Sequence, residues 1–385
     1  MNNKLKICVY TTNRAEYSKL RPILKLLQKD NNIELSLLVT GSHLLKQYGE
    51  SKNQIIKDGI KITEEIYTHI AGDDITKTVE TIGLGLIKLP SILKRINPHI
   101  ILCGFDRFDM YPFAITAALM NYCLVHIEGG EITGTLDEKI RHSISKLSNY
   151  HFVSTEYAKN NLIKMGEYAD NIFVTGCPRY DELINIPENN DNILKNYNVI
   201  RKKYYIFCYH PVSSDIEVSY KEWTILLQTL IKLKENVILI KPNIDYGNEK
   251  LWVLFEEMKL DSYSHINIYN HIDIDDFSIL LKNCCIIIGN SSGGIREACV
   301  FGTPVINIGT RQQYRVLDTL VNVHNMINFD IDNLMDKIMY LKDITYDTNF
   351  IFGSGNASYN IVKILKQIDY TNSEKVISYS NSIMN

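Results

Sequence analysis

The chain has 385 residues, 45% hydrophobic and 22% charged, with a formal net charge of −3 at pH 7. Its length predicts two or three domains with ample core, and its charge excludes the strong basic balance of a nucleic-acid or membrane-surface binder. No uncharged apolar run reaches the ~18 residues of a membrane span.

Met1-Asn2-Asn3-Lys4-Leu5-Lys6 runs straight into a strand pattern with no signal-peptide features, so a cytoplasmic protein is expected. Lys6–Thr11 reads as a strand and Ala15–Leu27 as a helix, with Leu20, Ile23, Leu24 and Leu27 at helical spacing. Further strands are expected at Ile33–Thr40, His99–Cys103, Leu124–Glu128, His151–Ser154 and Ile172–Thr175. Helices are expected between them at Leu44–Lys57, Ile75–Ile96, Pro112–Met120, Glu138–Leu147 and Glu156–Met165. Repeated βα order implies a parallel sheet with helices on both faces. Gly176-Cys177-Pro178 breaks the rhythm, and the polar stretch Pro187–Lys202 follows it.

The alternation then restarts. Strands are expected at Tyr205–Tyr209, Val237–Lys241, Ile266–Tyr269, Cys285–Gly289 and Val305–Ile308. Helices are expected at Tyr220–Leu233, Glu249–Glu257, Phe277–Lys282, Ile295–Phe301 and Ile331–Leu341, with a last one at Ala357–Ile368. The expected domains are 1–176, 177–355, a returning C-terminal helix over 356–370, and a polar disordered tail over 371–385. Two Rossmann-like halves with a cleft between them are the expected architecture. The eight cysteines are scattered, form no C-x-x-C and lie mostly in apolar runs, so reduced buried thiols are expected.

The densest chemistry lies at the end of one strand. His126-Ile127-Glu128-Gly129-Gly130-Glu131 is followed by Asp137-Glu138-Lys139-Ile140-Arg141-His142, so four carboxylates, two histidines and an arginine fall within 17 residues. Open α/β sheets place ligands at the carboxyl ends of their strands, so acids grouped there suggest proton chemistry. Asp106 and Arg107 end the neighbouring strand pattern, and clustered carboxylates can supply one protonated acid beside one ionised base.

Thr11-Thr12-Asn13-Arg14-Ala15-Glu16 opens the first helix and is expected to offer free backbone N–H groups, with Arg14 as a fixed cation for a phosphate. Gly289-Asn290-Ser291-Ser292-Gly293-Gly294 is a second anion-binding turn, with Glu297 placed for sugar hydroxyls and Arg311 after the next strand. His210, Asn243 and Asp245 end strands of the second half, and His43 ends the second strand of the first; all four are expected to reach the cleft. There is no G-x-G-x-x-G, which disfavours a nicotinamide cofactor. His126 and Glu128 share a strand face, but no third ligand stands at a recognisable spacing, so neither metal nor cofactor is expected.

Together, Asn13–Leu20, Asp106–Asp109, His126–Glu131, Ile140-Arg141-His142, His210-Pro211, Gly289–Ser292 and Ile308–Arg311 appear in an order that resembles the hydrolysing UDP-N-acetylglucosamine 2-epimerases of sialic-acid biosynthesis. The likeness extends to the epimerase half of the animal bifunctional epimerase/kinase and covers roughly residues 5 to 370. It implies a GT-B fold with a UDP-sugar in the cleft, conversion of UDP-GlcNAc and water to ManNAc and UDP, and a homodimer or homotetramer. By matching motifs it implies Asp106, Glu128 and Asp137 as the acid/base set, with His210 assisting near the phosphates. Arg14, Ser18, Arg107, Ser291, Ser292, Glu297 and Arg311 would hold UDP, with Asn243 and Asp245 at the rim. His43, His126, Glu131, Arg141 and His142 would support. The related enzymes usually read His-Gly-Asp-Arg before the first aspartate, whereas this chain reads Gly104-Phe105-Asp106-Arg107. A bulky Phe105 there raises an alternative substrate, UDP-2,4-diacetamido-2,4,6-trideoxyglucose, and a non-hydrolysing UDP-GlcNAc 2-epimerase, which returns UDP-ManNAc, is the further alternative.

Overall fold

A computed structural model describes residues 4–72, 74–187, 190–212, 215–242, 247–312, 314–315 and 319–371. The chain divides into two compact units. The first comprises Met1–Glu131, Asp137–Ile184 and Ile351–Asn385, the second Ile132–Leu136 and Asn185–Phe350.

The first unit holds a seven-stranded sheet of β1 (Leu5–Thr11), β2 (Ile33–Thr40), β3 (Glu64–Ile66), β4 (Ile100–Gly104), β5 (Cys123–Ile127), β6 (Tyr150–Val153) and β7 (Ile172–Val174), in the order β3-β2-β1-β4-β5-β6-β7. Every pairing is parallel. Apolar runs such as Ile100-Ile101-Leu102-Cys103 are buried throughout because helices cover both faces of such a sheet. Helices leave β1 and β4 in opposite senses, so the turns after these two strands flank a topological switch point. Tyr10 stacks on Phe113 at 4.5 Å within the core on one face.

The second unit repeats the plan with β8 (Tyr204–Cys208), β9 (Asn236–Ile240), β10 (Ile266–Tyr269), β11 (Ile286–Gly289), β12 (Val305–Ile308) and β13 (Val323–Met326). The parallel order is β10-β9-β8-β11-β12-β13, so its switch point lies between β8 and β11. Trp223 fills the core beneath it, stacked on Tyr209 at 5.5 Å and tilted against Phe255 at 5.4 Å.

Three expectations change. The helix expected at Leu44–Lys57 is two short 3-10 turns and a six-residue helix, Lys52–Lys57, because Gly49 (φ 84°) and Glu50 (φ 43°) turn left-handed. Strands β3 and β13 were too short and too polar to read from pattern alone. The unit boundary falls after Ile184, not at Gly176. Cys177 N donates to Phe352 O, and Asp181 accepts from the Ala357 and Ser358 amides at the start of the C-terminal helix Ala357–Leu365. That cap ties the helix Tyr180–Leu183 into the first unit, where Ala357–Leu365 also packs against Arg14–Lys29. The tail beyond residue 371 lies outside the described residues. All eight cysteines are buried thiols, and burial pushes Cys123 and Cys284 up to about 12, which suppresses thiolate chemistry. No helix among the described residues is long and apolar enough to cross a membrane.

Candidate active site

In the first unit the chemistry gathers at the carboxyl edge of β1, β4 and β5. Glu128, just past β5, has φ 60°, and Phe105, just past β4, has φ 76°. Left-handed backbone is uncommon in non-glycine residues and clusters at functional sites. Here hydrogen bonds enforce it. Phe105 N donates to Ile127 O at 3.0 Å and Glu128 N to Phe152 O at 2.8 Å. Phe105 O accepts from His126 Nε2 at 2.9 Å. A carbonyl can only accept, so His126 carries its proton on Nε2 and accepts from Ser145 Oγ through Nδ1 at 3.0 Å. Burial pushes His126 down to about 3, so the ring stays neutral and braces the Phe105 turn. Gly130 sits so close to the neighbouring helix that a Cβ would lie 2.2 Å from Ala158 O, at φ 80°.

Lys19 bridges these two turns. Its Nζ lies 2.6 Å from Glu128 Oε2 and 4.5 Å from the centroid of the Phe105 ring. Ser154 Oγ is 3.5 Å from Glu128 Oε1. Sequence reasoning did not single out Lys19, although it sits inside the Asn13–Leu20 motif. On the next strand Asp106 is bonded by Arg141, whose other terminal nitrogen donates to Glu131 O at 2.7 Å. Arg141 is only 1% exposed, so the helix Leu136–Leu147 is stapled to the end of β4 through one guanidinium. Asp137 lies half-buried in the first turn of this helix. His142 faces Glu138 at 3.7 Å, one turn away, and burial pushes it down.

Three expectations for this edge are corrected. The helix start at Arg14 does not offer its first amides to a ligand: Asn13 Oδ1 accepts from Ala15 N and Glu16 N, and Glu16 Oε2 accepts from Thr12 N. His43 does not reach out from the edge, because it is fully buried with its ring nitrogens at Thr11 Oγ1 (3.0 Å) and Ser51 Oγ (2.8 Å). Ser18 is buried and donates back to Ala15 O at 2.8 Å. Arg14 and Arg107 remain as cations at the switch point, with Arg107 Nε 3.5 Å from Asp109 Oδ1.

The second unit presents a turn of small residues. Asn290 closes it: its side-chain amide accepts from His210 N at 2.7 Å and donates to His210 O at 2.8 Å, locking the ends of β8 and β11 together. Arg311 donates to Asn290 O at 3.0 Å, which brings the end of β12 to the same turn. Ser291 and Ser292 are half-exposed at the start of the short helix Ser292–Arg296, and no side chain caps that start. Glu297 closes it and is also half-exposed. His210 is 5% exposed, with Nε2 3.7 Å from Cys208 Sγ. Asn243 and Asp245 lie outside the described residues. Gly289 has φ 140°, and a Cβ there would sit 2.0 Å from Cys208 O. Gly289→Ala is therefore expected to cost about 3 kcal/mol from strain and overpacking. A urea unfolding midpoint equal to that of the parent would refute this.

The described residues contain no group of three or more His, Cys, Asp or Glu able to hold a metal ion. Two parallel-sheet Rossmann-like halves define an α/β protein of the GT-B class. The fold matches the crystal structure of UDP-GlcNAc 2-epimerase from Methanocaldococcus jannaschii in complex with UDP-GlcNAc and UDP, at TM-score 0.80, 22% identity, 95% of this chain and 100% of that one. It likewise matches the Neisseria meningitidis UDP-GlcNAc 2-epimerase bound to UDP-GlcNAc, at TM-score 0.79, 20% identity, 94% of this chain and 100% of that one.

The sequence itself goes further. Residues 25–366 match the model of the UDP-N-acetylglucosamine 2-epimerase family, and the chain belongs to that family. It is 32% identical to the hydrolysing UDP-N,N'-diacetylbacillosamine 2-epimerase of Legionella pneumophila, over 94% of this chain and 96% of that protein. It is also 32% identical to the UDP-N-acetylglucosamine 2-epimerase of Neisseria meningitidis serogroup B, over 86% of each chain.

Proposed function

We propose that this enzyme is a hydrolysing 2-epimerase that converts UDP-GlcNAc and water to ManNAc and UDP. The observation that carries the reading is the pair of carboxylates on adjacent strand ends, Asp106 and Glu128, each held by a cation of its own, Arg141 and Lys19. The C2 proton of a 2-acetamido sugar is weakly acidic, so a base must remove it as UDP leaves C1 with the bonding electron pair. The product of that elimination is a 2-acetamidoglucal. Water then adds its oxygen to C1, and a proton is delivered to the opposite face of C2. Two faces require at least two acid/base groups. Asp106, Glu128 and Asp137 are proposed as that set, with His210 near the diphosphate. Arg14, Arg107, Ser291, Ser292 and Arg311 would stabilise the leaving diphosphate, and Glu297 would accept from sugar hydroxyls.

Relatives named as hydrolysing support water, rather than returning UDP, as the partner of the second step. A second reading keeps the chemistry and changes the substrate to UDP-N,N'-diacetylbacillosamine, named for the Legionella pneumophila relative and, as GDP/UDP-N,N'-diacetylbacillosamine, for the one from Campylobacter jejuni. Phe105, buried beneath Lys19 at this edge, supports an apolar floor suited to a 6-deoxy sugar. One experiment separates them: each UDP-sugar is incubated in deuterated water and followed by NMR. Deuterium at C2 of free ManNAc, in step with UDP release, is the expected result. Deuterated UDP-ManNAc without UDP release would refute hydrolysis, and turnover of only the diacetamido substrate would establish the second reading.

A further inference from the structure

We propose that Glu16 and Asp109 share a single proton through the Thr12 hydroxyl, and that this proton sets the charge facing Arg107, making Glu16 a positioning residue for anion binding. The effect on UDP rests on the epimerase reading; the shared proton does not.

The geometry requires one proton between the two acids. Thr12 Oγ1 lies 2.8 Å from Glu16 Oε2 and 2.9 Å from Asp109 Oδ1, and it accepts from Asn13 Nδ2 at 3.0 Å. A threonine hydroxyl carries one proton and two lone pairs, so it cannot donate to two carboxylates at once. Two mirror assignments satisfy these contacts, and the surroundings select one: Arg107, 3.5 Å from Asp109, favours the charge on Asp109, so Glu16 carries the proton and donates to Thr12 Oγ1, and Thr12 donates to the Asp109 carboxylate. Glu16 is 3% exposed and Asp109 4%. Glu16 Oε1 is buried with no hydrogen-bond partner among the described residues, which a neutral acid tolerates far better than a carboxylate does.

Burial, and then the Asp109 charge, push Glu16 up to about 8, against the opposing pull of Arg107 and the Thr12 hydrogen bonds. The other groups facing this cluster stay neutral near that pH. Tyr10 of β1 and Cys103 of β4 are pushed far up by burial, and His69, after β3, is pushed down by it. Below about pH 8 the two carboxyls together therefore present one negative charge to Arg107. Above it they present two, which over-neutralises the guanidinium and weakens its pull on a diphosphate.

The test has two readouts. Infrared titration of the ligand-free protein is expected to show a protonated-carboxyl band that disappears through about pH 8. The difference against Glu16→Gln isolates this band from Glu222, another buried carboxyl that burial pushes up. Asp109→Asn, which removes the neighbouring anion, is expected to move the titration to lower pH. Calorimetry is expected to show UDP binding by the parent weakening roughly tenfold between about pH 7 and about pH 9, and by Glu16→Gln less than about twofold. Glu16→Ala is expected to bind more weakly at every pH, because the link through Thr12 is lost. A difference spectrum without the band overturns the proposal, as does an alkaline weakening that persists in Glu16→Gln or a titration unmoved by Asp109→Asn. A protein that keeps the band but binds UDP at no pH overturns the epimerase reading instead.

Discussion

Glu128→Gln is expected to slow UDP release from the UDP-sugar by roughly 10³-fold or more while leaving UDP affinity within about threefold. Glu128 stands on a left-handed backbone at the end of β5, its carboxylate 2.6 Å from the Lys19 ammonium. Glutamine keeps the shape and can still accept from Lys19, so the fold and the Phe105 turn should survive. What it loses is a group able to take or return a proton at C2. A loss confined to turnover would mark Glu128 as an acid/base group, whereas a parallel loss of UDP affinity would mark it as a binding residue. Turnover close to that of the parent would remove Glu128 from the chemistry.

Arg141→Ala is expected to destabilise the protein by about 2–4 kcal/mol, since removing this buried guanidinium leaves a cavity, unpairs the Glu131 carbonyl and deprives the part-buried Asp106 carboxylate of its partner. Arg141 is 1% exposed and holds both the Asp106 carboxylate and the Glu131 carbonyl. Its loss frees the end of β4 from the helix Leu136–Leu147 and leaves a cavity where a large side chain stood. Arg141→Lys should recover only part of the loss, because an ammonium cannot reproduce two donors held in one rigid plane. Urea midpoints for the parent and both variants would check this. A midpoint for Arg141→Ala within error of the parent would show that the staple is dispensable.

The strand ends that carry the candidate site are legible in the chain because their signals are local. An apolar run that stops at Gly-Gly or Gly-Asn-Ser-Ser marks the carboxyl end of a buried strand wherever the strand sits in the sheet. So the positions of Asp106, Glu128, His210 and Ser291 at strand ends followed from pattern, as did the restart of the βα order in the second half. Capping is equally local, and the helix start at Arg14 shows it. Asn13 is a strong N-cap residue, and it engages the amides that the turn would otherwise offer to a ligand.

What pattern cannot supply is adjacency. Lys19 and Glu128 are 109 positions apart in the chain, and Asp106 and Arg141 are 35 apart. Only the strand order, which sets β1 beside β4 and β4 beside β5, makes them neighbours. The same packing turned His43 inward onto Thr11 and Ser51, and set Thr12 between Glu16 and Asp109. The sequence by itself therefore determined most of the elements, the parallel character of the two sheets and the strand ends that carry the candidate site, because hydrophobic period and turn chemistry act over a few residues. The tertiary structure alone decided which charges meet, which hydroxyls are consumed and which carboxyls are buried together, because those depend on distances of a few ångströms between residues far apart in the chain.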